Sequence, residues 1–402
     1  MVAAVNPAGP NAPSGDTNTA LDSADPAYLT WHNGERAAAL DGITFHIAEG
    51  TYKTSNYVRI SFPGRESQVK LSFKGGYSSE SNGTDLSKRF VNAEDVTTVT
   101  GEKKRRHFFV RYSSNVTFDG ITFTEGAANG YNGGSILFSE SSTSKLTVNA
   151  CKFISNDAGT SSGGAVYGQG QVGVAVFNEC KFTSNSAQKG GAVTANTGQF
   201  EFNDCEFSEH SVGDALGHQG GALNFTKVSL ICKNCDFTKN KSFDNGGAVW
   251  LSGMTKAEFT DCDFTANSTD NLAGAICLSG ANPLTITRGI FSGNSAVKGG
   301  GCFYNNASST INITGTKFAD NKTDAVGGVF QCNANAGPVI NIKDAEFSGN
   351  TANKEGGAIY FENAISNSNI NATYINNTAK NSGGANYFWN IVSNSNITGT
   401  YN

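Results

Sequence analysis

Along most of the chain, apolar and polar positions alternate in short runs that end in Gly, Asn and Ser. This is the period-two pattern of half-buried β-strands punctuated by turns. Aromatic residues mark a longer period. Phe153, Phe182, Phe207, Phe237, Phe264, Phe291, Phe318, Phe347 and Tyr374 recur at steps of 25 to 30 residues. Each sits in a block of the form small-x-Phe-x-x-Asn, such as CKFISN, CDFTAN or AEFSGN, and Phe123 in GITFTEG is a degenerate earlier member. Roughly ten residues after each aromatic comes a second block: SGGAVY, KGGAVT, QGGALN, NGGAVW, LAGAIC, KGGGCF, VGGVFQ, EGGAIY and SGGANY.

A unit of this size holds short strands and turns but no apolar run at helical spacing, which sets aside helical and leucine-rich repeats. It is also too short for the four strands of a propeller blade. A parallel β-helix remains, with equivalent residues of successive rungs one strand spacing apart. Stacking gives the alignment columns a physical meaning. Two residues before the aromatic stand Cys151, Cys180, Cys205, Cys235 and Cys262, then Gly289, Thr316, Ala345 and Ala372. Five before it stand Val148, Phe177, Phe202, Cys232, Phe259, Ile286, Ile313 and Ile342. These columns face inward, and the polar positions between them face out. The expected fold is all-β, a parallel β-helix (solenoid) with an N-terminal cap.

An Asn column follows the aromatics: Asn156, Asn185, Asn240, Asn267, Asn294, Asn321, Asn350 and Asn377, with His210 as its one substitution. Asn tolerates left-handed backbone angles, and stacked amides can bond from rung to rung. The column reads as a structural ladder. After the Gly pair, the inward position is held by Val166, Val193, Leu223, Val249, Ile276, Cys302, Phe330 and Ile359, with Asn386 the exception. The next position, taken as outward, carries Tyr167, Trp250, Phe303, Tyr360 and Tyr387. A surface row of aromatics suits sugar rings or a partner protein, so these five are the candidate ligand-binding residues.

The paired GGA(I/V/L) and FxxN blocks resemble the repeats of the polymorphic outer membrane proteins, surface adhesins and autotransporter passengers of chlamydiae. The resemblance covers about residues 116 to 390. It implies a right-handed parallel β-helix displayed on a bacterial cell surface. Those adhesins end in an outer-membrane barrel, whereas this sequence stops at Asn402 in another strand-like unit, SNITGTYN. A C-terminal anchor or barrel outside this sequence is therefore expected, or a different export route.

The ends divide the chain further. Residues 1–27 are breaker-rich and read as a flexible lead without a signal peptide. Residues 28–112 read as the cap and irregular first rungs, with a short helix in TWHNGERAAALDG and a long insertion in GGYSSESNGTDLSKRFVNAED. ITFHIAEGTYKTS resembles the opening of pectate-lyase-like β-helices. Residues 113–402 form the β-helix proper, in repeats of about 27 residues.

Composition agrees and excludes alternatives. The chain has 48 Gly in 402 residues, 7 Pro, 16% charged residues and 27 Phe. It lacks the Gly-every-third period of collagen and the charge-rich, aromatic-poor signature of disorder. No apolar stretch spans a membrane, and a net charge of −5 offers nothing to nucleic acid. No Thr-x-Thr array suggests ice binding.

The remaining chemistry is sparse. Nine Cys fall mostly in inward columns, where stacked in-register thiols are poorly placed for disulfides; Cys232 and Cys235 form a CxxC without a second pair, read as structural. Lys103-Lys104-Arg105-Arg106-His107 is the one basic run, read as a solvated turn or as a site for an acidic glycan or phosphate. Glu206, Glu209, Asp236, Asp261 and Asp263 gather on one outward face. Such a face serves Ca²⁺ in polysaccharide lyases or a carboxylate pair in a glycosidase. Asp261 opposite Arg288, and Lys181 opposite Glu206, read instead as cross-strand charge pairs. The chain is expected to be a secreted or surface adhesin or structural passenger, more a binding protein than an enzyme. Its partner would be a protein or glycan of a host or neighbouring cell, with no metal and no cofactor. The alternative is a polysaccharide lyase or glycoside hydrolase on an acidic polysaccharide, with Ca²⁺ as cofactor.

Overall fold

The structure is a computed structural model that describes residues 2–5, 41–53, 57–61, 68–77, 89, 97–112, 114–334, 337–390 and 394–401. Among the described residues there are strands and turns but no helix, so none is long and apolar enough to cross a membrane. The chain divides into two compact units. Unit 1 comprises 1–187 and 192–205, and unit 2 comprises 188–191 and 206–402.

A single rung of unit 2 shows how the sequence dictates the fold. In Lys256–Thr260 the alternation places Ala257 and Phe259 inside and Lys256, Glu258 and Thr260 outward. Asp261 (φ 53°) turns the chain into Asp263–Thr265, and Ala266 (φ 55°) turns it again into Ser268–Thr269. Ala273 (φ 64°) precedes Ile276–Ser279, and Gly280 (φ 77°) closes the rung before Pro283–Thr287. Each strand then pairs, parallel and in register, with its counterpart one repeat later. Phe237 meets Phe264, Ser242 meets Thr269, Val249 meets Ile276 and Phe259 meets Ile286. Parallel pairing requires a long return connection, and here the rest of the rung supplies it.

In unit 1 the same stacking runs from Gly50–Lys53 through Thr97–Thr100 and Thr122–Thr124 to Lys152–Ile154 and Lys181–Thr183. Two long strands, Ile136–Asn149 and Val166–Asn178, each run through two sides of the rung, with register shifts between Ser139 and Lys145. Val2–Val5, within the expected lead, pairs parallel with Thr44–Ile47. Ile43–Ala48, within the expected cap, belongs to the stack by pairing with Val69–Tyr77. The remainder of the lead, the candidate helix up to residue 40 and most of the insertion lie outside the described residues.

The interior of each unit is a file of aromatic rings. In unit 1, Phe123, Phe153 and Phe182 stack at 5.1 and 4.8 Å. In unit 2, Phe207, Phe237, Phe264 and Phe291 follow at 4.7, 4.5 and 4.6 Å, with interplanar angles of 5°. Strand spacing sets these separations, and they fall at the close end of favourable ring contact. Burying each such ring contributes about 2 kcal/mol.

The Gly pairs have two separate roles. Gly327 takes φ +70°, a left-handed angle that favours a residue without a Cβ, and a Cβ there would also crowd the carbonyl oxygen of Phe330 in its own rung. Gly328 has an ordinary φ, but a Cβ there would overlap the carbonyl oxygen of Gly357 in the next rung. The first Gly turns the chain, and the second lets two rungs close.

Candidate functional site

The Asn ladder is the most regular polar feature. In unit 2, Asn240, Asn267, Asn294, Asn321 and Asn350 each donate Nδ2–H to the Oδ1 of the next member, at 2.8 to 3.0 Å. Asn156 and Asn185 do the same in unit 1 at 2.9 Å. The second amide proton goes to a Phe carbonyl of an earlier rung, as in Asn267 to Phe237 O at 2.8 Å. Backbone N–H groups complete the set, as in Asn240 N to Asn267 Oδ1 at 3.0 Å. Both protons and both lone pairs of such an amide are used, which a buried amide requires. The left-handed angle expected at Asn falls one residue earlier, at Ser155 (53°), Ser184 (52°), Lys239 (54°), Ala266 (55°) and Asp320 (55°). The exposed residue absorbs the bend so that the amide can point inward. His210 keeps the backbone contact, donating N–H to Asn240 Oδ1 at 3.2 Å.

The aromatic column departs from the expected open row. Its register in unit 2 is Asn224, Trp250, Cys277, Tyr304, Gln331, Tyr360 and Tyr387. Phe303 is not in it. Phe303 pairs with Ile276 and Phe330, is fully buried, and packs on Phe291 at 4.9 Å and Phe330 at 5.7 Å. The cause is the third glycine of Gly299-Gly300-Gly301. The turn uses Gly300 (φ 62°) and Gly301, which moves Cys302 to the Ala position and Phe303 inward. Tyr304 takes the outward place. It is itself buried, in a cluster with Ala273 and Cys277 against Trp250 and Leu272.

Cover by neighbours also closes other members. Tyr360 is 9% exposed and Tyr167 7%. Tyr167 Oη accepts a bond from Asn196 Nδ2 at 3.0 Å, and burial pushes its hydroxyl pKa up. Trp250 and Tyr387 are half-buried. Towards residue 390 the column opens. Tyr360 and Tyr387 stack at 5.6 Å with planes 1° apart, and Tyr387 lies 6.2 Å from Trp389, which is 64% exposed. Sequence reasoning passed over Trp389, although the strand alternation places it on the same side as Tyr387.

The five acids separate into three places. Glu206, Asp236 and Asp263 stand in register on adjacent strands. Burial, then Asp263 and then Glu206, raise the Asp236 carboxyl above the usual range. Asp263 Oδ1 accepts the N–H of Ile290 at 3.1 Å. Asp261 sits at the preceding corner in a two-pronged pair with Arg288, at 2.8 and 2.7 Å, which lowers its pKa. Glu209 (φ 59°) is at the following corner. Among the described residues, no group of three or more His, Cys, Asp and Glu could hold a metal ion.

All nine cysteines are buried thiols outside any disulfide, Cys232 and Cys235 included. In the basic run, Arg106 and His107 turn inward. Arg106 donates Nε–H to Gly133 O at 2.7 Å and Nη2–H to Asn132 O at 2.5 Å. Lys103 and Lys104 stay exposed.

Residues 344–362 match the model of the Chlamydia polymorphic membrane protein repeat. That segment carries the Phe347, Asn350 and Gly356–Gly357 positions of a single rung. No curated protein and no solved structure matches the chain. The chain is a parallel β-helix of stacked repeats, and the one-rung match together with this fold fits a repeat protein of the polymorphic membrane protein type.

Proposed function

We propose that this β-helix is a surface-displayed, non-enzymatic passenger that binds a protein or glycan of a host or neighbouring cell. The carrying observation is the Tyr360–Tyr387 stack with Trp389 tilted against it, where a half-buried ring supports an exposed one. A pre-ordered aromatic face offers contact area at small entropic cost, which suits a flat sugar ring or an apolar protein patch. The repeat match supports surface display, since polymorphic membrane proteins give the repeat its name. Glycan and protein arrays with the intact chain, compared with Trp389→Ala and Tyr387→Ala, test the reading. Saturable binding that both variants weaken supports it. Binding that neither variant changes removes the stack as the contact.

A second reading, a polysaccharide-active enzyme, draws support from the raised Asp236 carboxyl between Glu206 and Asp263. A carboxyl whose pKa is raised by burial and neighbouring carboxylates is moved towards the range a general acid uses. Incubation with acidic polysaccharides, followed for new reducing ends or unsaturated products, decides between the two. Turnover abolished by Asp236→Asn would favour the enzyme.

A further inference from the structure

Unit 1 contains a polar groove of about 330 Å³ whose walls include Lys103, Asn129, Ser155, Asp157, Ser184 and Ser186. It follows the outer side of the Asn corner. Ser155 and Ser184 immediately precede the buried Asn156 and Asn185 and are themselves exposed. Asp157 is fixed in place. Its Oδ1 accepts the N–H of Gly159 at 2.8 Å and the hydroxyl of Ser186 at 2.9 Å. Its Oδ2 has no partner among the described residues.

Lys103 brings the opposite charge. Its backbone is held at φ 56°, with its N–H donated to Glu125 O at 2.8 Å. The neighbouring Glu102 is engaged by Lys53 at 2.7 Å and Lys104 at 3.8 Å. The Lys103 ammonium has no carboxylate partner among the described residues. Asn129 commits its Nδ2–H to Lys104 O at 2.6 Å. Tyr131, 73% exposed, stands two residues further along the same turn, which closes through Tyr131 N–H to Ala128 O at 3.0 Å.

We propose that this groove binds a sugar acid, a saccharide unit that carries a carboxylate. The argument is one of complementarity. A bare anion would meet the Asp157 carboxylate, and a bare cation would meet Lys103. A neutral sugar would leave the ammonium unused. A sugar acid presents hydroxyl donors to Asp157 Oδ2 and the Asn129 amide oxygen, and its carboxylate to Lys103. The Oδ1 bonds already fix the Asp157 rotamer, so little side-chain freedom is lost on binding. The site lies in unit 1 and does not depend on the aromatic stack of unit 2.

The test is an NMR titration of the full chain with sodium glucuronate, glucose and inorganic phosphate. Glucuronate is expected to saturate and to bind more tightly than either of the others. Lys103→Gln should weaken it about fivefold, the upper end for an exposed charge contact, without changing glucose binding. Asp157→Asn, which keeps the Oδ1 acceptor, should weaken glucuronate and glucose together. Trp389→Ala should leave glucuronate binding as in the unaltered chain. No saturable glucuronate binding, equal binding of phosphate, an unaffected Lys103→Gln variant or loss of binding in Trp389→Ala would each overturn the proposal.

Discussion

Asn294 and Asn321 stand 27 residues apart in the chain and are joined amide to amide, Nδ2 to Oδ1 at 3.0 Å. The N–H of Asn294 reaches the same oxygen at 2.9 Å, and its other amide proton goes to Phe264 O at 2.8 Å. Its own Oδ1 receives Asn267 N and Nδ2, both at 3.0 Å. Asn294→Ala strands several buried polar groups at once, at about 1–3 kcal/mol for each left unpaired. We expect a loss of about 3 kcal/mol or more in urea unfolding. A loss below about 1 kcal/mol would mean that water replaces the amide.

The two glycines of a pair should respond differently to alanine. Ala273 occupies the first position in its own rung at φ 64°, so the strain there is tolerable. Gly327→Ala should therefore cost about 1–2 kcal/mol, a left-handed Cβ of the kind Ala273 shows to be tolerated, after a local shift away from Phe330 O, which an ideally placed Cβ would crowd. Gly328→Ala pushes a methyl into Gly357 O and forces two rungs apart. It should cost more than Gly327→Ala, and thermal unfolding of the two variants measures the order. The reverse order would refute the close-approach role.

His107 should make the fold acid-sensitive. Its ring is buried, with Nε2 3.2 Å from Thr124 O and Nδ1 2.9 Å from Ser135 Oγ. A carbonyl only accepts, so Nε2 carries the proton and Nδ1 accepts the hydroxyl. Burial pushes the pKa from 6.5 down to about 3, with the Thr124 bond pulling the other way. Below 6.5 the unfolded chain takes up a proton that the folded chain refuses, so stability falls as pH drops towards 3. The loss reaches about 2 kcal/mol near pH 5. His107→Gln should flatten the slope of unfolding free energy between about pH 7 and about pH 5. Equal slopes in both chains would exclude His107 as the source.

The thiols should be silent in the folded protein. Burial pushes Cys151, Cys232 and Cys302 well above the usual thiol range, and Cys262 is raised first by its bond with Cys235 and then by burial. A thiol kept protonated and out of solvent does not attack a disulfide reagent. Ellman's reagent should label none of the nine in the folded chain and all nine in guanidinium. Rapid labelling before unfolding would show that the interior opens locally.

Much of the rung could be read from the sequence because stacking repeats one set of contacts. The columns headed by Phe153 and Asn156, and the inward Cys column, follow from alternation and period alone. Four things did not. The extra Gly299 allowed two alignments of KGGGCF, and only pairing of Phe303 with Ile276 and Phe330 decides between them. The side on which Trp250 and Tyr360 point was legible, but alternation cannot tell how far neighbours cover that side, as Ala273 and Leu272 do around Tyr304. The left-handed residue was placed one position late, because the period locates a corner without saying which of two adjacent residues bends. The acids looked like one group in sequence. The corners at Asp261 and Glu209 turn those two away from the line of Glu206, Asp236 and Asp263.

Every amide of the Asn ladder in unit 2 points the same way, with donor towards the later rung and acceptor towards the earlier one. A rung is therefore an interchangeable part with a plug on one side and a socket on the other. Excising a whole repeat, for instance from Asn267 up to Asn294, brings the donor of Asn240 to the same kind of acceptor it had before. Such a gene can grow or shrink by one repeat at a time through unequal exchange. Each length variant of unit 2 would keep the same rung and the same ladder bonds, with one repeat more or fewer.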